Sequence, residues 1–251
     1  MLERVEDHIY SLRVASDEKP HLGPDTVRAL RAAVEHAVEN EDVRVLLLEG
    51  GTRHFCAGAS RASLLAAGSS SAVSLYAVET PRLLLSIPVP TVAVMAGHAI
   101  GGGLALGLWC DAVVLAEESL YGANFMALGF TPGMGSTVAL EETFGALLAR
   151  DLLFSGRLVR GAELAATAGI GALVGTRAEV RERALGIARD WAANERRPLM
   201  LLKRTLAGRR RERFERAATE EMLMHVVLFD DPETRARIAA EHAERDADEL
   251  G

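Results

Sequence analysis

The chain has 251 residues, 49% of them hydrophobic and 25% charged, with a formal net charge of −7. That length can bury one sizeable core, and the composition is that of an ordinary globular protein. The acidic balance excludes an extended nucleic-acid surface, which needs surplus Lys and Arg to displace phosphate counterions.

The first ten residues, MLERVEDHIY, hold no apolar signal segment, so a cytoplasmic location is expected. HIYSLRV at 8–14 reads as a strand. Gly23, Pro24 and Asp25 then open a helix in which Val27, Leu30, Ala33, Val34 and Val38 recur at helical spacing. VRVLLLEGG, from Val43, is a buried strand ending on glycines, and HFCAGAS at 54–60 supplies a turn of small residues after it. LLLSIPVPTVAVMAG at 83–97 is apolar but broken by prolines and too short to cross a bilayer; its second half, from Thr91, reads as a strand. DAVVLAE at 111–117 and a short run near Leu173 and Val174 continue the alternation of strand and helix expected of helices covering a mostly parallel sheet.

From about Glu179 the strand signals stop. The remainder reads as helix in three pieces, punctuated by Pro198, Gly208 and Pro232. Eight cations, Arg196, Arg197, Lys203, Arg204, Arg209, Arg210, Arg211 and Arg213, crowd into this part. Such a run is either a solvated helix face or a contact for phosphate or an acidic partner. Cys56 and Cys110 sit in apolar surroundings with no CxxC spacing or His cluster, so they read as buried small hydrophobes, with no disulfide and no metal site.

Residues 97–111, GHAIGGGLALGLWCD, place three glycines at a helix entrance. Backbone N–H groups there lack partners within the helix and face its positive end, which suits an anion. The spacing is not GxGxxG and no Gly-Lys-Ser/Thr follows, so neither a dinucleotide nor a P-loop reading is supported. With the second small-residue turn at 54–60, two N–H groups can converge on one oxygen, the arrangement that stabilises an oxyanion. His98, beside the glycine run, reads as a structural cap of that turn.

These segments, together with GFTPGMGSTVAL at 129–140 and LLFSGRLVRGAELAATAGI at 152–170, resemble the crotonase (enoyl-CoA hydratase/isomerase) superfamily over nearly the whole chain. The resemblance implies an α/β spiral of repeated ββα units over residues 1–190. A C-terminal helical region, 191–251, would serve oligomerisation, as a trimer or hexamer, and closure of the active site. By motif position, the N–H groups of Ala59 and Gly102 would hold a thioester oxygen, with Ala57, Arg61, Gly103 and Phe125 around the substrate. The substrate rides on phosphopantetheine or CoA, and no other cofactor is implied.

Hydratases of this family carry two glutamates; here their positions hold Ala105 and Phe125. ANFMALGFTPGMGS at 123–136 and EEMLMHVVLFDDPETRARI at 220–238 instead resemble the branch that decarboxylates 3-methylglutaconyl-type thioesters on acyl carrier protein during polyketide β-branching. There His225 would be catalytic, apolar walls such as Phe125 and Ala105 would shed water from the carboxylate, and the preceding dehydration could share the site. That branch also uses a lysine after the first turn, and none occurs from Ala59 to Pro88; Arg61 and Arg82 are the candidate replacements. A catabolic acyl-CoA hydratase or isomerase, and a non-catalytic acyl-pantetheine-binding subunit, are the alternatives.

Overall fold

A computed structural model describes residues 2–66, 72–167, 169–228 and 231–248. Ten strands and ten helices alternate: β1 (Leu2–Glu6), β2 (Ile9–Arg13), α1 (Pro24–Glu39), β3 (Val45–Glu49), β4 (His54–Cys56), α2 (Arg61–Ala66), α3 (Ala72–Ser86), β5 (Thr91–Met95), β6 (His98–Ile100), α4 (Gly102–Leu108), β7 (Ala112–Ala116), β8 (Leu120–Gly122), α5 (Ser136–Phe144), α6 (Ala146–Ser155), β9 (Leu158–Arg160), α7 (Gly161–Ala165), β10 (Leu173–Gly175), α8 (Arg177–Ala192), α9 (Arg196–Leu228) and α10 (Pro232–Asp248). A 3₁₀ turn, Met126–Leu128, follows β8.

The expected ββα repeat is present. In each of three successive units the first strand, β3, β5 or β7, joins a six-stranded sheet of order β1-β2-β3-β5-β7-β10, and the second, β4, β6 or β8, joins a four-stranded sheet of order β4-β6-β8-β9. Pairing is parallel between units, as in Leu46↔Thr91 and Val92↔Ala112, and antiparallel only at β1–β2 and β8–β9. The strands of the smaller sheet are three residues long, too short for alternation to reveal them.

The central strands of the larger sheet, β3, β5 and β7, are covered on both faces, which is why they read as continuous apolar runs. Leu46 and Leu48 point into the main core; Val45, Leu47, Val92, Val94 and Val114 point the other way, onto Val180, Ala184 and Ala188 of α8. In α1 the buried stripe is Thr26, Leu30, Ala33 and Ala37, one position off the valine pattern, and Val38 faces outward.

The C-terminal part is helical in three pieces, α8, α9 and α10, as expected, but of the three expected breaks only Pro232 stands at one. α9 runs unbroken for 33 residues through Pro198 and Gly208. Pro198 stands in its first turn, where a missing N–H leaves no bond unmade. Gly208 is accommodated at the modest cost of a glycine in a helix. Among the described residues no helix is long and apolar enough to cross a membrane.

Candidate active site

β4 and β6 pair in parallel through His54↔His98 and Cys56↔Ala99, so the turns that follow them leave the small sheet side by side. Gly58 has φ +80°, and a Cβ there would lie 2.7 Å from the Ile100 carbonyl and 3.4 Å from the Gly102 nitrogen. Only glycine allows the two turns to approach so closely. Gly101, φ 54° and ψ −123°, caps α4 in a conformation closed to other residues. The first turn is tied down by Leu22 N–H to the Gly58 carbonyl and Ala57 N–H to the Pro20 carbonyl, both 2.8 Å. Among the described residues no acceptor engages the N–H of Ala59 or of Gly102.

These turns open on a cavity of about 500 Å³. Its apolar wall includes Leu22, Leu64, Ile100, Phe125, Phe130 and Met134; its polar lining includes His21, His54, Ser60, Ser63, Tyr76, Asn124 and His225. No Asp or Glu is among the described lining residues. Ala57, Ala59, Gly102, Phe125 and His225 are thus brought together. Arg61 opens α2, but its side chain lies outside the described residues. Arg82 is excluded as a stand-in for the missing lysine, because it is away from the cavity and paired with Glu215, Nε to Oε1 at 2.7 Å.

Gly103, expected beside the substrate, and Ala105, expected in the apolar wall, do not line the cavity. Gly103 packs: a Cβ there would fall 2.1 Å from the Cys56 carbonyl, so the glycine lets α4 press on the β4 backbone. Ala105 is wholly buried behind it and lines no part of the cavity. The apolar wall comes instead from Leu22 and Met134, whose Cδ1 and Sδ lie over Gly102.

His225 reaches the cavity from α9, nine-tenths buried, with Nε2 2.8 Å from the Thr131 carbonyl. A carbonyl can only accept, so that nitrogen carries a proton. Burial holds the imidazole below its ordinary pKa, against the opposing pull of the Thr131 and Pro132 carbonyls. One turn earlier on the same face of α9, the buried Glu221 carboxylate accepts from Gly135 N–H at 2.7 Å, Thr137 N–H at 3.0 Å and Thr137 Oγ1 at 2.7 Å. Its charge therefore sits at the amino end of α5, where the helix dipole favours it. Desolvation nevertheless raises its pKa. Glu221 thus ties α9 to the segment whose carbonyls hold His225. Within that segment Met134 adopts φ 64°, and its carbonyl accepts the Trp109 indole N–H at 2.8 Å.

The residue pattern of the enoyl-CoA hydratase/isomerase family matches residues 18–247. The chain belongs to that family. It is 32% identical to the bacillaene synthase decarboxylase PksI of Bacillus subtilis over 245 residues, covering 95% of this chain and 96% of that protein. Its fold superposes on the ECH2 decarboxylase domain of CurF from Lyngbya majuscula with a TM-score of 0.88 at 31% identity, covering 96% and 98% of the two chains. A structure described as part of a dehydratase/decarboxylase enzyme couple involved in polyketide beta-branching gives 0.87 at 30%, covering 96% and 97%.

The basic C-terminal stretch of this chain is divided: Arg197, Arg204, Arg209, Arg211 and Arg213 are exposed, while much of the rest is drawn into the framework. Lys203 is buried, with Nζ 2.6 Å from Asp111 Oδ2. Arg210 donates to the carbonyls of Leu108, Trp109 and Cys110 at 2.8–3.0 Å, Arg196 to those of Ala37 and Val43, and Arg211 to that of Leu85. Only Arg197, Arg204 and Arg209 are exposed without such a contact among the described residues. His98 does not cap the glycine turn; its Nδ1 accepts from Leu120 N–H at 2.9 Å and so holds β6 to β8. Both thiols are buried in apolar surroundings that push them up to about 12. Glu221 and Asn124 went unnoticed in the sequence, although Glu221 lies four residues before His225, the spacing that puts two side chains on one helix face.

Proposed function

We propose that this protein decarboxylates a 3-methylglutaconyl-type thioester carried on acyl carrier protein in polyketide β-branching. The observation that carries the reading is a cavity that offers two unengaged N–H groups and a buried histidine while no carboxylate is among its described lining residues. Hydration requires a general base within reach of the water, and the two positions that hold glutamate in hydratases are occupied by a core alanine and a cavity phenylalanine. The similarity to decarboxylases over almost the full chain supports the same choice.

In the proposed reaction the bond from Cγ to the carboxylate carbon breaks and CO2 departs. Its electron pair spreads through the conjugated chain onto the thioester oxygen, between the Ala59 and Gly102 N–H groups, and a proton then returns to carbon. Donors fixed in advance by the fold stabilise that oxygen without reorganising. Leu22, Phe125 and Met134 would keep water from the reacting chain. His225 would orient the departing group or relay the returning proton. Residues 191–251 would also join subunits, since Leu223, Val226 and Val227 present an exposed apolar patch on α9 suited to a trimer.

The test is single-turnover incubation with 3-methylglutaconyl carrier protein, following CO2 loss by mass. Turnover is expected with the parent, and His225→Ala should lower the rate on the order of 10²–10⁴-fold, as for a general acid–base residue. Ready hydration of crotonyl-CoA without CO2 release overturns the reading.

A further inference from the structure

Asn124 is a buried cavity residue whose side-chain chemistry the fold leaves unused among the described residues. It lies between β8 and the 3₁₀ turn, is 5% exposed, and lines the cavity. Its Oδ1 lies 3.1 Å from where a Cβ on Gly101 would stand, next to the turn that presents the Gly102 N–H. Its main-chain carbonyl accepts from Leu128 N–H at 3.2 Å, which fixes the backbone, but its side-chain amide has no hydrogen-bond partner among the described residues. Its amide atoms are open to the cavity, where an entering group can complete them; the side-chain atoms buried without a partner among the described residues are Thr131 Oγ1 and Ser136 Oγ. The neighbouring polar groups are already engaged: Ser60 and Ser63 bond each other at 2.9 Å, and His225 is held by Thr131. Tyr76 is more exposed than Asn124.

We propose that the Asn124 side-chain amide is the specificity-determining contact for the terminal carboxylate of the acyl chain. The proposal rests on the decarboxylase reading for its choice of substrate. An amide NH2 offers two donors to a carboxylate, and its neutrality suits the reaction. Decarboxylation moves the negative charge away from the carboxylate toward the thioester oxygen, so a cation at the carboxylate would stabilise the starting state more than the transition state. A neutral amide orients the group with less of that penalty. Phe125, the next residue, faces the same Gly101 with its ring edge 3.6 Å from the built Cβ, so the amide works against an apolar wall where its hydrogen bonds are strengthened.

The experiment measures binding of two unreactive thioesters of pantetheine, 3-methylglutaryl and 3-methylbutyryl, which differ only in the terminal carboxylate. Binding to the parent, Asn124→Leu and Asn124→Asp is compared, with melting temperature followed on each. Asn124→Leu should weaken the carboxylate-bearing ligand on the order of tenfold or more, the loss of a hydrogen bond to a charged group, while the carboxylate-free ligand binds within about twofold of parent. Asn124→Asp keeps the side-chain shape should the leucine variant fail to fold, and should lose more, because it sets like charges against each other. Equal weakening of both ligands, or no weakening of either, overturns the proposal. If the parent releases CO2 yet both variants bind like parent, the decarboxylase reading stands and the role of Asn124 falls. If the parent fails to release CO2 yet binds the carboxylate ligand through Asn124, the decarboxylase reading falls and the carboxylate contact stands.

Discussion

The two ends of α4 show opposite treatments of the same backbone chemistry. At its amino end, Gly101 turns through φ 54° and the Gly102 N–H faces the cavity with no acceptor among the described residues. At its carboxyl end, Arg210 gathers the carbonyls of Leu108, Trp109 and Cys110, its guanidinium lies 5.1 Å from the Trp109 ring centroid, and Lys203 neutralises the adjoining Asp111. Every short helix leaves orphan groups at both ends. Here the carbonyls are closed off by side chains from α9, and the Gly102 donor is left without an acceptor among the described residues. Arg196, Lys203, Arg210 and Arg211, which a bare sequence offers as a binding surface, are thus held by the framework, while Arg197, Arg204 and Arg209 stay exposed.

That contrast can be broken most severely at the closed end. Lys203→Glu sets a second carboxylate against buried Asp111 and should cost about 3–5 kcal/mol, the range for leaving a buried charge uncompensated. Urea unfolding measures it, and a variant of parental stability with a raised KM would return Lys203 to a binding role. The open end should respond the other way. Gly101→Ala strains the turn by about 1–3 kcal/mol, and by displacing the Gly102 N–H it should reduce kcat on the order of 10²–10³-fold. If turnover per folded molecule survives that change, the turn is only a packing device.

Arg210→Ala is a milder probe. Loss of its charged hydrogen bonds should lower stability by about 2 kcal/mol with kcat retained, and Arg210→Lys should restore little, because an ammonium cannot reproduce the guanidinium fork. The smallest effect is a pH dependence from His225. Its folded pKa lies below the ordinary value, so the unfolded chain takes up the proton first as the pH falls. Its contribution is complete above the unfolded value of about 6.5 and is lost as the pH drops from there toward the folded value. His98 is shifted in the same direction by burial, so the signature is a shallower acid loss in His225→Gln relative to parent. Superimposable stability curves would contradict the assignment.

Hydrophobic runs and glycine punctuation were enough to locate β2, β3, β5 and β7, because strands buried on both faces write their burial directly into composition. The two glycine turns were equally legible as turns, since a close backbone approach demands glycine at fixed places whatever surrounds it. Tertiary structure decided what spacing alone could not. From Lys203 the inward stripe of α9, Lys203, Ala207, Arg210, Phe214, Ala217, Glu221 and His225, repeats every three to four residues, yet four of its seven members are charged or polar. Periodicity of apolar residues cannot reveal such a face, because each charge is buried only by virtue of a partner on another element. Gly102 and Gly103 are identical in sequence terms, and only the neighbours of each, Met134 and Leu22 for one and the Cys56 carbonyl for the other, make the first a cavity residue and the second a packing contact.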